Sequence, residues 1–292
     1  MIPPSFDYHV PRTLPEALKL LGDLGDDAKI LAGGHSLLPM MKLRFANPAH
    51  LIDINRIDEL RGVREKDGRI RIGAMTVEND LIDSPLLQAK VPLLPEAARQ
   101  IADPQVRNRG TIGGDLAHGD PGNDHPAISI ALDATFVLAG PGGEREVKAD
   151  KFYHGTYATE LAANEIMKEI VVDPFPAGTG YAYAKLKRKT GDWATAATAV
   201  VLRVANGSVS HVRIALTNVG PTAIHATGAE AAVRGKAPSA AAIEAAAQAA
   251  MAACDPAEDL RGDREYKVAM AGEMTRRALR LAFERAGVRV QA

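Results

Sequence analysis

The sequence of 292 residues is long enough for roughly two domains, and its 46% hydrophobic and 24% charged residues are typical of a globular chain rather than a disordered one. Its 35 Lys and Arg against 36 Asp and Glu give a net charge of −1, which excludes a bulk nucleic-acid binder with a strong basic excess. The one cysteine, Cys254, excludes an intrachain disulfide and an iron–sulfur cluster, which takes about four thiolates, and favours a reducing, cytoplasmic compartment.

The first part of the chain alternates predicted helices and strands. Thr13 and Glu16 form a capping-box pattern with Pro15 just inside the helix start, which predicts a helix that ends near Leu24. Asp67-Gly68 lies between two strand-like runs and is a strong β-hairpin signal. Up to this hairpin the sequence predicts a helix over 14–24, a strand over 29–32, a helix over 37–43, a strand over 50–54 and hairpin strands over 63–66 and 69–72.

The middle of the chain continues this mixture up to a predicted linker. Thr76 is expected to cap a helix that runs through Asp83. The further predicted elements are a helix over 93–102, hairpin strands over 135–139 and 144–148, and a strand over 166–172. The stretch 174–180 is rich in Pro and Gly and is the best linker candidate, so we predict one domain of residues 1–175 and a second of residues 176–292.

The predicted second domain consists of strands followed by helices. Three longer strands over 181–189, 194–205 and 208–219 are separated by turn residues and predict an antiparallel meander. Ser239 is expected to cap a helix to Ala253, and Asp263 a helix to about Arg285. This order indicates an α+β arrangement. No apolar run approaches the 18 or so residues of a membrane span, so we expect none.

Two double-glycine segments are the most informative feature, Gly33-Gly34 after a predicted strand and Gly113-Gly114 further along. A glycine pair leaves backbone N–H groups open to close approach by a ligand, and such a turn before a helix suits a phosphate. Two of them are able to clasp a pyrophosphate from two sides, with the hydroxyls of Ser36 and Thr111 as further donors. Neither segment matches GxGxxG or GxxxxGK[ST]. The alternative, two plain tight turns with Ser36 as a helix cap, stays open.

Further candidate ligands follow the second glycine segment. The spacing of His118, Asp120, Asp124 and His125 matches no known metal motif, so we expect no metal site. Asp124 is the better candidate for a hydrogen bond with ribose or ribityl hydroxyls. The ordinary alternative for both aspartates is turn formation.

Trp193, the only tryptophan, follows the basic run 185–189. The indole is either a core side chain or one that stacks on a planar ligand. The run is predicted to lie on a strand, and most of its side chains are expected to be solvated. Since the sequence contains no nucleophile elbow and no Cys–His arrangement, we expect no catalytic side chain in this chain.

These motifs resemble those of the FAD-binding medium subunits of the molybdenum hydroxylases, the family of xanthine dehydrogenase and aerobic carbon monoxide dehydrogenase. The pairing of AGGHS at 32–36 with TIGGD at 111–115 is similar to that family's double FAD signature. GDPGND at 119–124 and KLKRKTGDWATAA at 185–197 resemble the carbon monoxide dehydrogenase branch. The resemblance spans nearly the whole chain. It implies a two-lobed FAD-binding domain of the vanillyl-alcohol-oxidase or p-cresol-methylhydroxylase type, followed by a smaller α+β C-terminal domain.

The resemblance also implies which residues bind FAD. The two glycine segments would hold the pyrophosphate, Asp124 would lie near the ribityl chain, and Trp193 would lie beside the isoalloxazine ring. The implied cofactor-binding residues are Ala32, Gly33, Gly34, His35, Ser36, Thr111, Ile112, Gly113, Gly114, Asp115, Asp124, Met167, Lys185 and Trp193. No histidine or cysteine lies where the family would link the flavin covalently, so FAD is expected to be non-covalent.

Two of these positions carry a specific expectation. Asp115 stands where many relatives have Asn, and a carboxylate beside a pyrophosphate is repelled by on the order of 1 kcal/mol or more when partly desolvated. We therefore expect Asp115 to cap the turn or to face a hydroxyl. Lys185 is expected to favour the anionic reduced flavin by charge pairing.

With too few thiols for a cluster, the chain is expected to be the flavin component alone. The resemblance implies that electrons arrive from two [2Fe–2S] clusters of a small subunit and leave through FAD to a quinone, NAD or oxygen. The molybdenum cofactor would belong to a large subunit, and the heterotrimer is expected to dimerise, with neither nucleic acid nor a membrane among the partners. Two alternatives stay open: an autonomous FAD-dependent oxidoreductase with its own small substrate, and a non-enzymatic nucleotide-binding scaffold.

Overall fold

A computed structural model describes residues 2–291. The first lobe is a three-stranded parallel sheet flanked by helices. Its elements are β1 (Asp7–His9), α1 (Leu14–Leu24), β2 (Ala28–Leu31), α2 (Leu37–Lys42) and β3 (His50–Asp53), with strand order β1-β3-β2. Helix α1 starts as predicted, because the Thr13 hydroxyl accepts a hydrogen bond from the Glu16 N–H at 3.3 Å. Leu14, Ala17 and Leu21 bury the inner face of α1 against this sheet.

The second lobe is a five-stranded antiparallel sheet, with strand order β4-β5-β10-β6-β7, covered by short helices. Its first half contains β4 (Val63–Lys66), β5 (Arg69–Gly73), α3 (Glu78–Asp83), α4 (Pro85–Lys90), α5 (Leu93–Ala98) and α6 (Pro104–Arg107). Its second half contains α7 (Ile112–His118), α8 (Asp124–Ala131), β6 (Thr135–Gly140), β7 (Gly143–Lys148), β8 (Tyr153–Gly155), β9 (Ala158–Thr159) and β10 (Ile166–Val172). Strands β8 and β9 pair with each other as a separate two-stranded ribbon.

The C-terminal part is a four-stranded antiparallel sheet followed by three helices. The predicted meander corresponds to its first three strands, whereas the short fourth strand and the first helix were not predicted. Its elements are β11 (Gly180–Leu186), β12 (Ala196–Ala205), β13 (Ser208–Thr217), β14 (Ile224–His225), α9 (Thr227–Val233), α10 (Ala240–Ala252) and α11 (Arg264–Arg285). Val200 and Leu202 pack against these helices, whereas Ala199 and Val201 pack in the core of the second lobe. The sheet therefore joins the second lobe to the C-terminal helices.

Three predicted elements differ from the structure. Thr76 does not cap α3; its hydroxyl accepts a hydrogen bond from the Gly62 N–H at 3.0 Å, and α3 begins two residues later. The helix predicted over 93–102 ends at Ala98, and Asp103 caps a separate helix with its side chain. The strand predicted to reach residue 189 ends at Leu186, so strand alternation does not apply to the rest of the basic run. Among residues 2–291, no helix is long and apolar enough to cross a membrane.

Candidate cofactor-binding site

A cavity of about 840 Å³ lies where the two lobes meet the start of the C-terminal sheet. All of the cofactor-binding residues that the sequence implies line this cavity, except Ile112. The Ile112 side chain is fully buried in the core of the second lobe, and a part for this residue in cofactor binding stays a prediction. The fold thus brings to one place sequence motifs that extend from Ala32 to Trp193.

Both glycine segments pack closely against backbone from other parts of the chain. A side chain at Gly33 would clash with the carbonyl oxygen of Arg109 and come within 2.9 Å of the Gly110 Cα, so the first loop touches the backbone that leads into the second. A side chain at Gly113 would come within 2.6 Å of the carbonyl oxygen of Ala74. These glycines are needed because backbone approaches backbone without room for a Cβ.

The second glycine pair lies in a helix rather than in a turn. Gly113 and Gly114 are in the first turn of α7, whose N-cap is Thr111. The Thr111 hydroxyl accepts a hydrogen bond from the Gly114 N–H at 3.2 Å, so Thr111 rather than Asp115 caps this turn. Ser36 occupies the N-cap position of α2 but makes no side-chain capping hydrogen bond, and it lines the cavity.

Asp115 lines the cavity, and its buried carboxyl oxygen Oδ1 has no hydrogen-bond partner among residues 2–291. Burial, together with the nearby carboxylates of Glu78 and Asp124, raises the pKa of Asp115 to about 8 against the attraction of His125. The carboxyl group therefore holds its proton at neutral pH and is able to donate a hydrogen bond. A neutral acid avoids the repulsion that a carboxylate would suffer beside a phosphate.

Asp124 and Lys185 form a buried ion pair on the cavity wall. Nζ of Lys185 lies 2.6 Å from Oδ2 of Asp124, and the side chains are 1% and 5% exposed. The Tyr183 hydroxyl donates to the other oxygen of Asp124, and Lys185 also reaches the carbonyl oxygen of Gln100 at 3.3 Å. The positive charge of Lys185, which the sequence analysis expects near a flavin, is therefore paired with the Asp124 carboxylate.

Trp193 stands in the loop between β11 and β12 and is half exposed, so it is not a core residue. Its indole Nε1 donates to Oδ1 of Asn123 at 3.4 Å, and the guanidinium of Arg261 lies 5.4 Å from the ring centroid. Met167, on the central strand β10, is buried and forms another part of the wall. The exposed His35 lies at the rim of the cavity.

The remaining candidates have separate partners rather than a common metal. Asp120 holds its own turn, with Oδ1 accepting from the Gly122 N–H at 2.8 Å, and His118 packs against the Tyr157 ring. His125 is fully buried, and its Nε2 lies 2.9 Å from Oε2 of Glu78. Burial opposes the charge on His125, but the Glu78 carboxylate outweighs it and raises the pKa of His125 to about 9. No group of three such residues is placed to bind a metal within 2–291.

Sequence reasoning missed several residues of this site. Glu78 sits beneath the cavity on α3, Asn123 links α7 to the indole, and Arg261 comes from the segment before α11. Asn123 lies inside the GDPGND motif, so that motif could have identified it. Glu78 and Arg261 carry no local pattern, because their roles arise only from long-range packing.

Comparison with known proteins agrees with this geometry. Residues 4–175 match the family described as FAD binding domain in molybdopterin dehydrogenase, and residues 181–282 match the CO dehydrogenase flavoprotein C-terminal domain. The chain is 66% identical to the carbon monoxide dehydrogenase medium chain of Hydrogenophaga pseudoflava, over 98% of this chain and 99% of that one. It is 48% identical to the medium chain of the same name from Afipia carboxidovorans, over 98% and 99%.

The chain belongs to the FAD-binding subunits of the molybdenum hydroxylases. Solved structures support the same family. The carbon monoxide dehydrogenase of Hydrogenophaga pseudoflava superposes with a TM-score of 0.97 at 68% identity, covering 98% of this chain and 99% of that one. Quinoline 2-oxidoreductase of Pseudomonas putida 86 gives a TM-score of 0.92 at 34% identity, covering 98% and 99%. The two-lobed FAD-binding domain and the α+β C-terminal domain predicted from the sequence are confirmed.

The site of this molybdenum-hydroxylase subunit has features that suit FAD. Its volume of about 840 Å³ falls within the range of roughly 300–1,000 Å³ of small-molecule sites. Gly33, Gly34, Gly113 and Gly114 line the cavity without a Cβ, and Asp115 lines the same space. Glycines let a phosphate approach the main chain closely, and the first-turn N–H groups of a helix such as α7 suit an anion.

Proposed function

We propose that this protein passes electrons from the [2Fe–2S] clusters of a small subunit through non-covalently bound FAD to an external acceptor. The observation that carries the proposal is that both glycine segments line the same cavity. The chain has one cysteine, which is too few for an iron–sulfur cluster of its own. When bound, FAD supplies the redox chemistry, because it exchanges electrons singly or in pairs. The chain supplies the position and the electrostatic surroundings of that group.

The roles of the lining residues follow from their contacts. The glycine segments, with Ser36 and Thr111, are proposed to hold the pyrophosphate, and Asp124 to bond ribityl hydroxyls while it holds Lys185. Protonated Asp115 is proposed to donate a hydrogen bond to an oxygen of the cofactor. Trp193 is proposed to cover the isoalloxazine ring, with Met167 on another wall.

We propose carbon monoxide as the substrate of the complex, oxidised at a molybdenum cofactor on a large subunit. The support is the difference in identity among relatives: 66% and 48% to medium chains of carbon monoxide dehydrogenases, against 38% to a subunit of 6-hydroxypseudooxynicotine dehydrogenase. The acceptor remains one of quinone, NAD or oxygen. A dimer of heterotrimers and a cytoplasmic location are also proposed, the latter supported by the buried free thiol of Cys254.

The proposal is tested by the visible spectrum of the purified chain and by purification of the chains that associate with it. We expect a flavin spectrum, FAD released on heat denaturation, and co-purifying chains that carry iron–sulfur clusters and molybdenum. The assembled complex should reduce an added acceptor when carbon monoxide is supplied. A flavin that is bleached by a small substrate in the chain alone would instead favour an autonomous flavoenzyme. Absence of bound flavin after incubation with FAD would favour the alternative of a non-enzymatic nucleotide-binding scaffold.

A further inference from the structure

Trp193 is an exposed aromatic side chain with an unusually complete set of contacts. A half-exposed indole on a loop ordinarily samples several rotamers. Here Nε1 bonds to Asn123, and a Cβ added at Gly122 would come within 3.0 Å of the indole Cδ1. The Arg261 guanidinium covers the ring at 5.4 Å from its centroid, a distance within the range of cation–π attraction.

The residue before the indole anchors the loop. Asp192 is buried at 4% exposure, and its Oδ1 accepts from the Trp193 backbone N–H at 3.0 Å and from Arg261 Nη2 at 2.9 Å. Its Oδ2 accepts from Arg188 Nε at 2.9 Å. Burial opposes the charge on Asp192, but the hydrogen bonds from Arg188 and Arg261 keep its pKa below the ordinary value. The charged Asp192 carboxylate thus accepts hydrogen bonds on both oxygens and holds the loop that carries Trp193.

Arg261 is itself held by a short closed turn. Residues 259 and 262 exchange backbone hydrogen bonds of 3.2 Å, and Asp259 accepts from Arg261 Nη1 at 3.3 Å. Lys267, 2% exposed, donates to Asp259 Oδ1 at 3.0 Å and to the Ala257 carbonyl at 2.8 Å. Arg188 returns from the loop to the Leu260 carbonyl at 2.8 Å. The segment 255–263 therefore contacts the loop that carries Trp193 through Arg261, and that loop contacts the segment through Arg188.

We propose that the segment 255–263 of the C-terminal domain fixes the orientation of Trp193 over the cofactor cavity, with Arg261 and Asp192 as positioning residues. This inference rests on the proposed flavin function for its biological purpose. The contacts that carry it belong to the chain itself. An indole held at one angle shields one face of a bound ring at a constant distance, whereas a mobile indole would expose that face intermittently.

The single tryptophan makes the proposal measurable in the isolated full chain, excited where tyrosine does not absorb. The first measurement is the time-resolved fluorescence anisotropy of Trp193 without FAD. We expect Arg261→Gln to add a fast nanosecond component that the unmodified chain lacks. Arg261→Lys keeps the positive charge but loses the planar fork, so its anisotropy should fall between the two. Arg264→Gln is the matched control, because Arg264 lies in the same region and, within residues 2–291, forms its ion pair with the exposed Asp255.

The second measurement is made with FAD. Quenching of Trp193 by added FAD should be strongest in the unmodified chain and in Arg264→Gln, and weaker in Arg261→Gln. The rate of FAD release should rise about two- to fivefold in Arg261→Gln. If this variant does not fold, Asp192→Asn and Arg261→Lys provide the same comparison. Asp192→Asn keeps the shape of the side chain but weakens its hydrogen bonds to both arginines.

Two failures are distinguishable. Identical anisotropy in the unmodified chain, Arg261→Gln, Arg261→Lys and Asp192→Asn would overturn the positioning role, even if FAD binds normally. Absence of quenching in the unmodified chain together with absence of bound FAD would overturn the proposed function. The anisotropy differences would still decide whether the segment 255–263 holds the indole.

Discussion

Lys185 and Asp124 are joined by a buried ion pair on the cavity wall, with 2.6 Å between Nζ and Oδ2. Removing one member of such a pair leaves an uncompensated charge and costs about 3–5 kcal/mol, whereas replacing both costs much less. We expect Lys185→Met and Asp124→Asn each to lower the free energy of unfolding by that order, and the double variant to recover a large part. Urea unfolding of the FAD-free chain measures this cycle.

The neighbouring lysine provides the control for this cycle. Lys187 Nζ also donates to the Gln100 carbonyl, at 3.1 Å, but makes no bond with Asp124. Lys187→Met should therefore lose much less stability than Lys185→Met. Equal losses for both lysines would show that the ion pair is not the source of the effect.

Gly113 provides a second prediction, because its Cα lies against the backbone of Ala74. Gly113→Ala should destabilise the protein by about 1–3 kcal/mol through overpacking and should weaken FAD binding. Gly22, on the exposed face of α1, has no atom within 4 Å of an added Cβ. Gly22→Ala should therefore stabilise the chain by about 1 kcal/mol with no change in FAD affinity. Thermal unfolding and FAD titration of both variants test the contrast.

The cap of α7 provides a third prediction. Thr111→Val removes the acceptor of the Gly114 N–H and should cost about 0.5–2 kcal/mol, whereas Thr111→Ser retains it. Because this cap orders the second glycine segment, the valine variant should also release FAD faster than the serine variant. Stopped-flow measurement of FAD release distinguishes the two. Indistinguishable release rates would mean that the cap contributes to stability alone.

The pKa values of Asp115 and His125 predict how stability changes with pH. The folded pKa of Asp115, about 8, is above its ordinary 3.8, so the folded state binds the proton more tightly and stability falls as pH rises towards 8. The folded pKa of His125, about 9 against 6.5, adds stability below pH 6.5 that is lost as pH rises through 9. The FAD-free chain should therefore become less stable from pH 6.5 to 9.

Two substitutions separate these groups. An asparagine side chain cannot ionise, so Asp115→Asn should make the fall of the unfolding free energy with pH less steep below pH 8. Glu78→Gln removes the partner that holds the proton on His125, so it should make this fall less steep up to pH 9. Above pH 8 the unmodified chain should also bind FAD more weakly, since ionised Asp115 repels phosphate. Asp115→Asn should remove this loss, and a loss that persists in the variant would contradict the assignment. Urea midpoints and FAD affinities across the pH range provide both readouts.

The elements that could be predicted from the sequence are those with local signals. Thr13, Ser239 and Asp263 each accept the capping bond that their position indicates, and Asp67-Gly68 forms the predicted hairpin turn with both residues at positive φ. The role of Thr76 could not be predicted, because its hydroxyl is used by the distant Gly62. Local patterns report helix ends reliably only where no long-range partner competes.

The same distinction applies to the site. The contiguous glycine motifs, Asp124, Lys185 and Trp193 could be identified because family resemblance marks them along the chain. The neutral state of Asp115 could not, because it depends on burial among Glu78 and other carboxylates. The role of Arg261 depends on a turn that is folded against a loop about seventy residues earlier.

The central position of β10 has a consequence for biosynthesis. This strand lies between β5 and β6, although it follows β5 by more than ninety residues in the chain. Until residue 172 has left the ribosome, the sheet is divided into two separate hairpins, and Met167 is absent from the cavity wall. Long-range pairing of this kind forms late, after the local hairpins. Because Lys185 and Trp193 also line the cavity, the nascent chain completes it only after residue 193 has been made, and we expect flavin insertion to follow that point.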